Sequence, residues 1–311
     1  MDFFKTEIDK TISDIASVRE DGDLLFAMLS DTFASDESEA TYANIRALDD
    51  KLNFDFVCHL GNFVGGNNPK RPTMDVLESE FTSCRNSVKS KKLFVTPGNC
   101  DGWRDERYLG QMIHGIITDE AWCSATSFID EYSGVHRPCG KPYYYVELGE
   151  YNTRLIFLNS YFSQHDEELE FYQKYTGFSA DEVKWLKNNA LKDTEGKKVV
   201  LFSHRIPLSR FETGKDPYVY NGNSTEPVLA ILQQAVKGGT DILCYFGGAY
   251  GIDESFSLGD ISHSVIASAL PRGRELGTPE QDLWDAVLIK KNERKIYLFR
   301  FGAGEDRVIE Y

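Results

Sequence analysis

Leu93-Phe94-Val95-Thr96-Pro97-Gly98-Asn99-Cys100-Asp101 is the stretch on which the fold turns. Its first half is an apolar run and its second half a cluster of turn formers. It reads as a short buried strand that stops at a polar loop. The same punctuation recurs along the chain. Leu24–Leu29 stops at Ser30-Asp31-Thr32-Phe33, and Phe54–Leu60 stops at Gly61-Asn62. Lys198–Phe202 leads into Ser203-His204, and Ile242–Phe246 stops at Gly247-Gly248-Ala249-Tyr250-Gly251.

Helical patterns lie between the runs. Phe3, Phe4, Ile8, Ile12, Ile15 and Val18 keep helical spacing before Asp21-Gly22-Asp23 breaks it. Ala43–Leu52, Met74–Val88, Asp119–Phe128 and Pro227–Val236 read as helices, and Ser179 with Glu182 forms a capping box for another. Strands alternating with helices over short loops predict an α/β fold with largely parallel, covered sheets. Tyr143–Leu148 and Arg154–Leu158 read as a hairpin turning near 149–152. Leu283–Ile289 and Lys295–Arg300 read as two antiparallel strands. No linker divides the chain, so residues 1–311 read as a single domain with a helical extension over about 1–20 and a loop-rich insertion over about 103–140. In such sheets ligands bind where the strands end. Asp31, Asn62, Asn99 and Asp101 all fall there.

Composition narrows the classes. Hydrophobic residues make up 41% of 311, enough for a sizeable core. Forty-nine acidic residues against 34 basic ones give a net charge of -15, which disfavours nucleic acid and anionic membranes as partners. The run Lys89-Ser90-Lys91-Lys92 is short and reads as a solvated lead-in to a strand. Cys58, Cys84, Cys100, Cys123, Cys139 and Cys244 are scattered, with no CxxC pair, and are expected to be reduced. Met1-Asp2-Phe3-Phe4-Lys5 opens no apolar leader and no stretch approaches a membrane span. The expectation is a cytoplasmic protein, which a phage genome could equally encode.

The order of the strand-end motifs resembles the calcineurin-like metallophosphoesterase superfamily, whose motifs run Asp-x-His, Gly-Asp, Gly-Asn-His-Asp/Glu, a single His, then Gly-His-x-His. The resemblance covers nearly the whole chain. Gly177–Leu186 is similar to the helix the family places before its single-His strand, and Phe301-Gly302-Ala303-Gly304-Glu305-Asp306-Arg307 resembles a tail of some members. It implies a sandwich of two packed mixed β-sheets flanked by helices. It also implies two divalent ions that clamp a phosphate and activate a hydroxide.

Carried over residue by residue, the resemblance gives a mixed site. Asp31, Asn99 and His204 match metal ligands, and Asp101 matches the acid that follows the third motif. Phe33 stands where a ligand histidine belongs, Asn62 where the bridging aspartate belongs, and Gly248 and Tyr250 where the last two histidines belong. Cys100 occupies the position of the histidine that would protonate the leaving group. A neutral Asn62 cannot offset the repulsion between two dications as a carboxylate does. Phe33 and Tyr250 are bulky enough to fill the space of the ligands they replace. Arg205, beside His204, is a candidate to put a cation, and so an anion site, where a metal stood. His59 reads as a core histidine within its strand, and His114, His136 and His165 as surface residues. His263 alternates with Ser262 and Ser264 in a further strand.

The leading expectation is a catalytically inactive homologue that acts as a binding or assembly protein, with no cofactor and an unknown protein partner or small phosphorylated ligand. The alternative is a metal-dependent phosphoesterase of phosphate mono- or diesters. Its unusual site would hold one weakly bound divalent ion (Mn, Fe, Zn or Mg) on Asp31, Asn62, Asn99 and His204.

Overall fold

A computed structural model describes residues 3–64, 74–98, 100–101, 119–161, 177–207, 225–248, 251–271 and 273–311. Asn99, His114, His165 and Tyr250 lie outside the described residues.

Two mixed sheets pack face to face. The first has the order β13-β12-β11-β1-β2-β3 and the second β4-β5-β6-β7-β8-β10-β9. In the first, β1 (Leu24–Leu29), β2 (Phe56–His59) and β3 (Leu93–Val95) run parallel. The antiparallel β11 (Leu283–Ile289), β12 (Lys295–Gly302) and β13 (Arg307–Glu310) complete it. In the second, β6 (Thr153–Phe157), β7 (Lys198–Phe202), β8 (Asp241–Gly247) and β10 (Ile261–Val265) are parallel. The antiparallel strands β5 (Tyr144–Leu148), β4 (Val135–His136) and β9 (Glu254–Leu258) edge that sheet.

The apolar runs explain the layers. Every residue of β1 and β11 is buried, as expected of strands covered on both faces. Between the sheets runs an aromatic seam. Phe26 stacks on Phe56 at 4.5 Å and meets Phe202 edge-on at 6.1 Å, while Phe94 lies 5.4 Å from Phe157, which stacks on Phe202 at 4.7 Å. Each such aromatic pair contributes about 0.5–1.5 kcal/mol beyond the area it buries. The helices α1 (Phe3–Val18), α2 (Ser38–Leu52) and α3 (Met74–Arg85) cover the first sheet. After α4 (Asp119–Ala125), α5 (Ala180–Trp185) and α6 (Thr225–Lys237) cover the second, over a core that includes Phe178, Leu186, Val228 and Leu232. Ser179 caps α5 by accepting the Glu182 N–H at 3.1 Å.

The sequence-derived elements recur with shifted ends. The second helix begins at Ser38, five residues before the expected Ala43, and α6 starts at Thr225 because Pro227 is tolerated in a first turn. The helix expected over Asp119–Phe128 stops at Ala125 and re-forms as a 3-10 turn over Ser127–Glu131. Strands β4, β9 and β13 were not expected; all three are sheet edges, where polar residues hide the apolar signal. His59 is fully buried, His136 is exposed, His263 sits in β10, and Lys89–Lys92 are exposed, as the sequence suggested. All six cysteines are free, and no helix among the described residues is long and apolar enough to cross a membrane.

Candidate functional site

The parallel strands bring the polar loops together. Ser30 and Asp31 follow β1, Leu60 to Asn62 follow β2, and Thr96 to Gly98 follow β3. From the other sheet come Ser203 to Arg205 after β7 and Gly248 after β8. Backbone bonds lace the loops: Asp31 N–H to Gly61 O at 3.0 Å, Phe33 N–H to Asn62 O at 3.0 Å, and Gly248 N–H to His204 O at 2.9 Å. Asp31, Phe33 and Asn62 all adopt left-handed backbone, with φ of 60°, 55° and 61°. Strain of this kind, about 1–3 kcal/mol per residue, persists only where the surroundings enforce it.

Asn62 is the hub. Its Oδ1 accepts the Cys100 N–H at 2.7 Å, and a backbone N–H can only donate, so the amide NH2 faces the opposite way. That NH2 donates to Asp31 Oδ1 at 2.6 Å and meets His204 Nε2 at 3.1 Å. His204 Nδ1 lies 2.5 Å from Leu60 O, which can only accept, so Nδ1 carries the proton and Nε2 offers its lone pair to Asn62. Burial pushes the His204 imidazole down to about 3, and the Arg205 charge acts in the same direction. The ring is therefore neutral. Ser30 Oγ donates to Asp31 Oδ2 at 2.8 Å. Asp31, Asn62 and His204 are all buried, so this triad of carboxylate, amide and imidazole is bonded internally and screened little by solvent.

Asp101 ties the second loop to the third. Its carboxylate accepts the N–H groups of Asn62 at 2.7 Å, Gly98 at 2.8 Å and Val64 at 3.1 Å. Burial raises its pKa to about 7 while those donors pull it down. On the far side, His59 Nδ1 accepts the Gly61 N–H at 3.2 Å and its Nε2 meets Thr32 Oγ1 at 3.0 Å. Two glycines permit the close approach. A Cβ on Gly98 would lie 2.3 Å from Asn62 Oδ1, and one on Gly248 would lie 2.1 Å from Ser30 Oγ.

The structure thus gathers Asp31, Asn62, His204, Asp101 and the Cys100 backbone. Phe33 is buried beside them, with its backbone held by Asn62. Arg205 is buried, and its guanidinium stands against the Tyr161 hydroxyl. Burial pushes that phenol up to about 12, with the Arg205 charge opposing and the Cys100 and Asp31 charges adding to the rise. Tyr161 and Ser30 had not been singled out as site residues. Tyr161 follows the apolar run of β6, the same strand-end signal that marked the other loops. Among the described residues, no three His, Cys, Asp or Glu side chains converge as metal ligands.

A sequence profile for the calcineurin-like phosphoesterases matches residues 24–233. The chain belongs to that family. Solved structures align with the chain. A dimetal phosphatase from Danio rerio aligns with a TM-score of 0.66 at 16% identity, covering 93% of this chain and 99% of the other. A Thermus thermophilus protein aligns at 0.46 and 12% identity, covering 93% and 99%. Vps29 of Chaetomium thermophilum aligns at 0.38 and 14% identity, covering 94% and 97%. The likeness to the Danio rerio structure concerns the fold alone. No curated protein sequence matches the chain significantly.

Proposed function

We propose that this member of the calcineurin-like phosphoesterase family does not hydrolyse phosphate esters and works as a binding or assembly protein. The observation that carries the reading is the Asn62 amide. It stands at the family's bridging-carboxylate position and directs its two N–H bonds toward Asp31 and His204, the two flanking groups whose lone pairs an ion would need. A two-metal centre requires an anionic bridge and free lone pairs on its ligands. The described residues offer an amide donor and two acceptors already engaged, so they do not fit it. The NH2 group performs the cohesive task of the ions, drawing Asp31 and His204 together without net charge. Cys100 stands at the position of the family's acid, where the resemblance places a histidine.

The test pairs metal analysis of the purified protein with an assay of an activated aryl phosphate in added manganese. No stoichiometric metal and no turnover are expected. Metal-dependent hydrolysis that disappears in Asp31→Ala would establish the opposite reading, a phosphoesterase with a single-ion site. A thermal-shift series with nucleotides separates the kinds of partner: stabilisation points to a small phosphorylated ligand, and none points to a protein.

A further inference from the structure

The tail Phe301-Gly302-Ala303-Gly304-Glu305-Asp306-Arg307 touches none of the triad, yet its geometry leads back to it. The tail closes around Arg300. Arg300 Nε donates to Asp285 Oδ1 at 2.8 Å, Nη1 to Asp253 Oδ2 at 2.7 Å and to Ala303 O at 2.9 Å, and Nη2 to Asp253 Oδ1 at 2.8 Å. Its backbone N–H donates to Asp306 Oδ1 at 2.8 Å. Arg307 adds Nη2 to Asp285 Oδ2 at 2.6 Å and Nη1 to Val265 O at 3.0 Å. Two arginines and two aspartates balance, and Asp285 and Arg300 are fully buried. Gly304, at φ +106°, lets the chain pass over the guanidinium; a Cβ there would lie 2.6 Å from Nη1.

The network does not end in the tail. Asp253 Oδ1 also accepts the Ala267 N–H at 3.0 Å. The next three residues lie along the end of β1. Ala269 N–H donates to Ser30 O at 2.8 Å, Leu270 N–H to Asp31 O at 3.1 Å, and Ser268 Oγ to Asp31 O at 3.1 Å. We infer that Arg300 is a positioning residue for the candidate site: its fork, through Asp253 and Ala267, fixes the segment that holds Asp31 in its left-handed turn. The motif is then the far support of the first loop. A planar fork is required because Arg300 serves two carboxylates at once, and a lysine at the same place serves as a point charge. The inference stands whether or not the site hydrolyses anything.

The test uses the full chain with R300K, which keeps the charge and loses the fork, and D253N, which weakens the distal arm while Asp285 still pairs with Arg300. The control is L232A, which loosens the packing of α6 elsewhere. The readouts are the side-chain amide resonances of Asn62 and the hydrogen exchange of the Ala269 and Leu270 amides. R300K and D253N are expected to shift the Asn62 pair and to speed those two amides about ten-fold, with the β1 amides unchanged. L232A is expected to move neither. Unchanged Asn62 resonances in both variants, or an equal shift in L232A, would overturn the inference and leave a simple clasp between the sheets. If R300K does not fold, D253N is read alone by the same criteria.

Discussion

Replacing Asn62 by aspartate isolates what the amide does. The substitution is nearly isosteric, so the loops keep their shape, and only the NH2 group becomes an oxygen. That oxygen faces Asp31 Oδ1, now 2.6 Å from the nitrogen, and the unprotonated Nε2 of His204. Two hydrogen bonds are lost, worth about 1–3 kcal/mol together. Two carboxylate charges about 4 Å apart at an effective dielectric near 20 add about 4 kcal/mol. The sum is about 5–7 kcal/mol at pH 8, read as a fall in melting temperature of about 10 °C for a chain of this size. The pH dependence gives the mechanism away. The repelling pair holds a proton in the folded state at a pH above the ordinary carboxylate value of about 4. Its folded pKa is raised, so the charge penalty is complete above that raised value and fades as pH falls toward about 4. A divalent ion should also relieve it. Differential scanning calorimetry of Asn62→Asp and the parent, from pH 8 to pH 4 and with millimolar manganese, reads both effects. Manganese should stabilise the variant and leave the parent unmoved. A variant as stable as the parent at pH 8 without metal would show that the amide bonds do not hold this site together.

Three further outcomes follow from buried groups. Gly248→Ala places a Cβ 2.1 Å from Ser30 Oγ and should cost about 1–3 kcal/mol in urea unfolding, part of it recovered by adding Ser30→Gly. His263 lies stacked against Tyr245 and Phe256, and burial drives its imidazole down to about 4. Because the folded pKa is depressed, its contribution is complete above about 6.5 and is lost as pH falls toward 4. His263→Phe should therefore remove roughly 3 kcal/mol of acid sensitivity in that window, measured by denaturant midpoints across pH. Tyr42 donates its hydroxyl to Glu80 Oε2 at 3.0 Å in a buried setting, so Tyr42→Phe should cost about 1–2 kcal/mol by the same assay.

The sequence made the central strands legible because burial on both faces leaves uninterrupted apolar runs, as in Leu24–Leu29 and Leu283–Ile289. It also made the loops legible, since each run ended in residues suited to turns. The order of those ends pointed to the family. What it could not disclose was partnership across the sandwich. Nothing in the spacing of Asn62, Asp31 and His204 says that one amide satisfies the other two, because that depends on a register between loops 31 and 142 residues apart. The same holds for Asp253 and Arg300, whose salt bridge joins residues 47 apart. Edge strands such as Arg307–Glu310 escaped because half their side chains face water.

The close approach of Gly248 to Ser30 limits what position 248 can carry. A histidine placed at position 248 would arrive with its first carbon already inside the space of Ser30. Asn62→Asp alone would set two like charges together before any ion could reward it. Both of these single steps toward a two-metal centre are therefore uphill on this backbone. Reaching such a centre from this sequence requires several substitutions at once.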